Sequence, residues 1–142
     1  MPIEKNIKIA KKSLSQNFLK DKNIAKKIVN FANIKNNVIV EIGPGEGFLT
    51  DFIVNKKPKE LYLVEKDNEL AKKLSKKYQH IKNVFVVNKD IMKYDLDNFK
   101  KISVLSNLPY NISTKIIIKL FKNNKKIKEM ILMLQKEVAS KF

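Results

Sequence analysis

The chain has 142 residues, thirty of them Lys and none Arg, against fourteen acidic residues, for a formal net charge of +16. It contains no Cys, which excludes a disulfide framework, a thiolate metal site and a cysteine nucleophile; the single histidine, His80, excludes a His-rich zinc site and counts against a Ser-His-Asp hydrolase. Lys, Ile and Asn together make up 64 residues, so the charge is largely a composition bias, yet a surface of +16 attracts polyanions, nucleic acid before an anionic membrane.

The length fits one domain able to bury most of its apolar surface unaided. A basic arm runs to Lys20, and Asp21 is placed to cap a helix reaching about Ala32, with Ile24, Ile28, Phe31 and Ala32 at helical spacing. Val38 to Ile42 reads as a buried strand, Gly43-Pro-Gly-Glu-Gly47 as a turn, and Phe48 to Asn55 as a short helix stopped before Pro58. A second strand covers Leu61 to Val64, and a helix from Asp67 to Lys77 turns Leu70, Ala71 and Leu74 inward. The third and fourth strands are Val84 to Val87 and Ile102 to Leu105; a helix from Thr114 to Phe121 and a fifth strand from Met130 to Leu134 follow. Strands that are apolar throughout, alternating with amphipathic helices, predict an α/β fold with a doubly wound parallel sheet covered on both faces. The longest apolar runs fall far short of the ~20 residues that span a bilayer, and the N-terminus has no apolar signal core, so the expectation is a cytoplasmic protein with no membrane partner.

In such a sheet, ligands bind beyond the carboxyl ends of the strands, near the point where strand order reverses. The residues expected there are the glycine loop, Glu65, Asn88-Lys-Asp90, Ser106-Asn-Leu-Pro-Tyr110 and Gln135-Lys-Glu137. The loop lets backbone pass close to a ligand at a helix N-terminus, but its G-x-G-x-G spacing departs from the dinucleotide fingerprint, and Pro44 removes an amide that a pyrophosphate would use. Glu65 is placed to accept from both hydroxyls of a ribose, and Asp90 from an adenine amino group; Asp95 and Asp97 read as solvated. These features suit any adenosine cofactor. The fourth strand selects among them: in Asn107-Leu-Pro-Tyr110 an amide, a proline-fixed turn and an aromatic ring answer the needs of methylating an exocyclic base nitrogen. That nitrogen's lone pair is delocalised into the ring, and two acceptors on its N–H bonds redirect the pair toward an incoming methyl group while the ring stacks on the base.

At these residues the chain resembles the KsgA-type ribosomal RNA adenine-N6,N6-dimethyltransferases. Lys12-Ser-Leu-Ser-Gln-Asn-Phe-Leu19 is similar to the family's N-terminal cofactor motif, Glu41 to Thr50 to its glycine loop, Asn107 to Thr114 to its catalytic motif, and Met133 to Ala139 to the segment after its fifth strand. The resemblance implies a Rossmann-like, S-adenosyl-L-methionine-dependent methyltransferase that dimethylates two adjacent adenosines of small-subunit ribosomal RNA on the immature subunit. It implies cofactor contacts by Asn17, Leu19 through its backbone, Gly43, Gly45, Glu65, Asp90 and Asn107, and a target-base site made by Asn107, Leu108, Pro109 and Tyr110, with no metal. It further implies a monomeric full-length enzyme whose domain is incomplete here at its C-terminus: residues 1–20 an arm contributing to the cofactor site, residues 21–142 part of the methyltransferase domain. On that reading Leu132 and Leu134 lie on an edge strand with no neighbour, which lowers stability and favours self-association. Ser15, where the family usually has glycine, and the absence of Arg are departures from the pattern. Relatives that methylate large-subunit RNA, and non-catalytic RNA-binding relatives, share the fold; Leu108 and Pro44 favour the small subunit, and Glu65, Asp90 and Asn107 together favour a working cofactor site. The pairs Lys11-Lys12, Lys26-Lys27, Lys56-Lys57 and Lys125-Lys126 are candidates for an RNA-facing rim or simply solvated faces.

Overall fold

Asp21 begins the first helix as its side chain predicts: its carboxylate accepts from the N–H groups of Asn23 at 2.9 Å and Ile24 at 3.2 Å, satisfying donors that the first turn leaves unpaired. The computed structural model describes residues 7–10, 21–107 and 113–133. Its elements are β1 (Ile7–Ala10), α1 (Lys22–Phe31), β2 (Val38–Ile42), α2 (Phe48–Asn55), β3 (Glu60–Val64), α3 (Asn68–Tyr78), β4 (Val84–Val87), β5 (Ile102–Asn107), α4 (Ser113–Lys122) and β6 (Ile127–Met133). Short 3-10 turns lie at Ile91–Lys93 and Asn124–Lys126. No described helix is long and apolar enough to cross a membrane.

The strands form one parallel sheet in the order β1-β6-β5-β2-β3-β4. Alternation of side chains along each strand divides the interior in two. On one face Val40, Val104, Met130 and Leu132 pack against Ile116, Ile117 and Leu120 of α4. On the other, Ile39, Leu63, Leu105 and Ile131 meet buried residues of the three remaining helices, among them Ala25 and Val29, Leu49 and Ile53, and Leu74. The doubly wound α/β architecture is therefore the one the alternating pattern predicts, with helices on both faces.

Two expectations change. β6 has a strand on each side, because Ile7–Ala10 pairs with Met130–Met133, so Leu132 is fully buried and not on an unpaired edge; Leu134 lies outside the described residues. Four residues offer no periodicity long enough to read, and only the neighbouring strand reveals their role. In α1 the buried face is Ala25, Ile28 and Val29, whereas Phe31 is 63% exposed. The apolar stripe has two possible centres, and packing against α2 selects the one through Val29.

Candidate functional site

Strand order reverses between β2, which leads outward to β3 and β4, and β5, which leads the other way to β6. The glycine loop leaves β2 at this point. Gly43 is still tied to the sheet through its N–H, which donates to the Val64 carbonyl at 2.9 Å, and Gly47, in the left-handed region at φ 90°, opens α2. The loop is fastened to the next strand by Glu65, whose Oε1 accepts from the Gly45 N–H at 3.0 Å and whose Oε2 accepts from the Asp67 N–H at 2.9 Å. A carboxylate has about four acceptor sites. Glu65 therefore keeps capacity for two further donors while its position is set by the backbone on both sides. Its own carbonyl accepts from the Asn88 side-chain amide at 2.9 Å, which holds the β3 exit against the β4 exit.

Gly43, Glu65, Lys66, Asp90, Ile91 and Ile116 are among the residues lining a cavity of about 420 Å³ at the carboxyl ends of β2, β3 and β4. The size lies within the range of small-ligand sites, and the arrangement is the usual one, apolar walls with a few fixed polar groups. Two larger concavities, of about 900 and 710 Å³, share Asn37 and Lys128 and sit by the amino ends of the strands, away from the glycine loop. The smaller cavity is the candidate site because polar groups expected from sequence converge there. At Gly43 and Gly45, an added Cβ would meet nothing within 4 Å. Open space at this loop is what close approach of a ligand to the backbone requires.

Asp90 caps the 3-10 turn Ile91–Lys93 by accepting from the Met92 N–H at 2.9 Å, and Lys66 Nζ stands 3.9 Å from its carboxylate. Asn107 is the last residue of β5, half-buried and in register with Met133 of β6. The hydroxyl of Ser106, just before it, donates to the Ile42 carbonyl at 2.7 Å and so ties the end of β5 to the residue that precedes the glycine loop. Gly43, Glu65 and Asp90 thus share one cavity, Gly45 joins it through Glu65, and Asn107 stands at the end of the neighbouring strand. Asn17, Leu19, Ser15, Leu108, Pro109 and Tyr110 lie outside the described residues. Ala10 ends a strand parallel to the others, so the chain leaves β1 at the same end of the sheet as the cavity.

Beneath the glycine loop is a polar group of side chains that sequence reasoning did not single out. Glu41 is buried in β2 and accepts from the Thr50 hydroxyl of α2 at 2.5 Å. Burial pushes the Glu41 carboxyl up to about 8, Thr50 opposing and Asp51 and Glu65 adding to the rise. Tyr78 of α3 places its hydroxyl 2.6 Å from Asp51 Oδ1 and 3.1 Å from the Gly47 carbonyl, and Lys77 Nζ pairs with Asp51 Oδ2 at 3.0 Å. Burial and Asp51 raise the Tyr78 phenol. These contacts lock α3, α2 and the loop into one unit. Asn88 was expected at this end of the sheet from its position directly after a strand, but without a role. No group of three His, Asp or Glu among the described residues is arranged to hold a metal ion.

Comparison with known proteins adds four observations. Residues 7–142 match the family model described as ribosomal RNA adenine dimethylase. The chain is 47% identical over 138 residues to ribosomal RNA small subunit methyltransferase A of Pelagibacter ubique, covering 94% of this chain and 52% of the relative; it spans about half the length of the curated relatives it matches. Among solved structures, the 23S rRNA methyltransferase ErmE superposes with a TM-score of 0.76 at 27% identity, over 86% of this chain and 49% of that one. A dimethyladenosine transferase from Plasmodium falciparum superposes at 0.75 and 30% identity, over 86% and 44%.

Proposed function

The chain belongs to the ribosomal RNA adenine dimethylase family, and we propose that it provides the cofactor-binding part of an S-adenosyl-L-methionine-dependent enzyme that dimethylates two adjacent adenosines of small-subunit ribosomal RNA. The observation that carries this reading is the convergence of the glycine loop, Glu65 and Asp90 on one apolar cavity. The residues fit an adenosine: Glu65 has acceptor capacity for a ribose diol, Asp90 for an amino group, and Ile91 and Ile116 provide apolar walls for a purine ring. Curated relatives named small subunit methyltransferase A, at 41–47% identity, favour the small subunit as target. The partner is then the immature small ribosomal subunit in the cytoplasm, met by a monomeric enzyme. Residues 1–20 are assigned to the cofactor site as an arm that also supplies β1 to the sheet, and residues 21–142 to the rest of the methyltransferase domain.

When bound, S-adenosyl-L-methionine supplies a methyl group activated on a positively charged sulfonium. Holding and aligning the reactants is assigned to residues of this chain. Glu65, held by two backbone N–H groups, fixes the ribose, and Asp90 reads the adenine. The Asn107 side-chain oxygen and a carbonyl fixed by Pro109 are assigned to accept the two N6–H bonds of the target base and Tyr110 to stack on it, with Leu108 part of the same motif. Rate then comes from alignment of the nitrogen with the methyl group and from a polar cage that needs no reorganisation.

Isothermal titration of S-adenosyl-L-methionine is the direct test. Glu65→Ala is expected to weaken binding tenfold or more, in line with about 1.5–3 kcal/mol for hydrogen bonds to a charged group. Absence of binding by the wild-type chain, or equal binding by a folded Glu65→Ala variant, would remove the cofactor assignment. For catalysis, Asn107→Ala is expected to lower methyl incorporation into immature small-subunit particles by about tenfold. Incorporation equal to wild type takes Asn107 out of its role.

A further inference from the structure

Lys119, on α4, is set apart from the solvent-exposed lysines by where its ammonium goes. Its Nζ donates to the backbone carbonyls of Ile91 and Tyr94, at the two ends of the short turn that Asp90 caps. The same turn is closed by the Lys93 N–H donating to the Asp90 carbonyl at 2.9 Å and the Tyr94 N–H donating to the Ile91 carbonyl at 3.2 Å. Ile116 precedes Lys119 by three residues and so lies on the same face of α4; it lines the cavity together with Asp90 and Ile91. One helical turn thus supplies both an apolar wall of the cavity and the clamp on the adjoining turn. Burial lowers the Lys119 ammonium, while Asp90 and Asp95 hold it up.

We propose that Lys119 is a positioning residue for cofactor binding, fixing the Asp90–Tyr94 turn so that the Asp90 carboxylate is held toward the adenine and tying that turn to the helix that follows Asn107. The inference rests on the cofactor reading above. Without Lys119 the Ile91 and Tyr94 carbonyls lose a shared donor, the turn keeps only its own backbone bonds and the Asp90 cap with no tie to α4, and Asp90 samples a wider range of positions. The cost falls on affinity through Asp90 and not through Glu65, which sits on a separate strand exit held by Gly45, Asp67 and Asn88.

A double-mutant cycle read by titration of S-adenosyl-L-methionine tests this. Lys119→Met is expected to weaken binding about fivefold to tenfold in the chain that retains Asp90, and less than twofold in an Asp90→Ala background. Lys119→Arg, which keeps charge and donors, is expected to stay within about twofold of wild type. Should the methionine variant melt below the titration temperature, Lys119→Gln is titrated in its place with the same expectations. Equal losses in both backgrounds, or a lowered melting temperature with unchanged affinity, overturns the positioning role and leaves the cofactor site standing. A wild-type chain that binds no cofactor removes both.

Discussion

Gly47→Ala is expected to lower the free energy of unfolding by about 3 kcal/mol, which for a chain of this size is a fall in melting temperature of roughly 10 °C. Two effects add. Gly47 has φ 90°, where an L side chain costs on the order of 1–2 kcal/mol. Its added Cβ would also lie 2.6 Å from the Tyr78 hydroxyl and 3.3 Å from both Leu74 Cδ2 and Lys77 Nζ. Tyr78 has no cheap retreat, because the same hydroxyl contacts Asp51 and the Gly47 carbonyl, so relieving the clash breaks the link between α2 and α3. Gly43→Ala is the matched control: φ is also positive, at 66°, but an added Cβ meets nothing within 4 Å. It is expected to cost about 1 kcal/mol in urea unfolding and to act mainly on cofactor affinity. If the two variants unfold at the same urea concentration, the contact with Tyr78 is not what restricts position 47.

The second large effect is on the pH dependence of stability, through Glu41. Its folded-state carboxyl is raised to about 8 from an ordinary value of 4.5, so between those limits the native chain binds a proton that the unfolded chain has released. Stability from this group is complete below pH 4.5, declines as pH rises, and is lost once pH passes about 8; the slope is at most about 1.4 kcal/mol per pH unit and sums to several kcal/mol. Glu41→Gln keeps the shape and an acceptor for Thr50 but cannot ionise. The variant is expected to gain on wild type steadily between pH 5 and pH 8 and to hold a constant advantage above it, as measured by urea unfolding at each pH. Parallel curves for the two proteins would show that Glu41 is not the source. The groups facing Glu41 are Thr50, Asp51 and Glu65, and the neutral carboxyl spares the loop a second negative charge beside the Glu65 carboxylate.

Much of the site was legible before any coordinates. Glu65 was assigned because it directly follows an apolar strand and Asp90 because it closes the short polar segment after the next one, and the structure brings both into one cavity with Gly43. Asn107 was assigned by the same logic; it ends β5, one strand across from the loop, though it does not line that cavity. Glu41 was not legible, because a carboxylate in the middle of an apolar strand gives no sign of which helix will supply its donor. Lys119 was hidden in a chain of thirty lysines, where no local pattern separates a clamp from a solvated face.

The amino-acid sequence alone determined the α/β alternation, the parallel sheet, the positions of the glycine loop and of the acidic residues after β3 and β4, and the family. These are local properties: hydrophobic period, caps and the residues that end each strand depend on near neighbours along the chain. Tertiary structure decided that Ile7–Ala10 covers β6, that Val29 and not Phe31 faces the core, and that buried Glu41, Thr50 and Tyr78 gather under the loop with exposed Asp51 bonded to Tyr78 at their edge. Each of these joins elements far apart in sequence. Such pairings follow from strand order and helix packing, and a linear pattern carries neither.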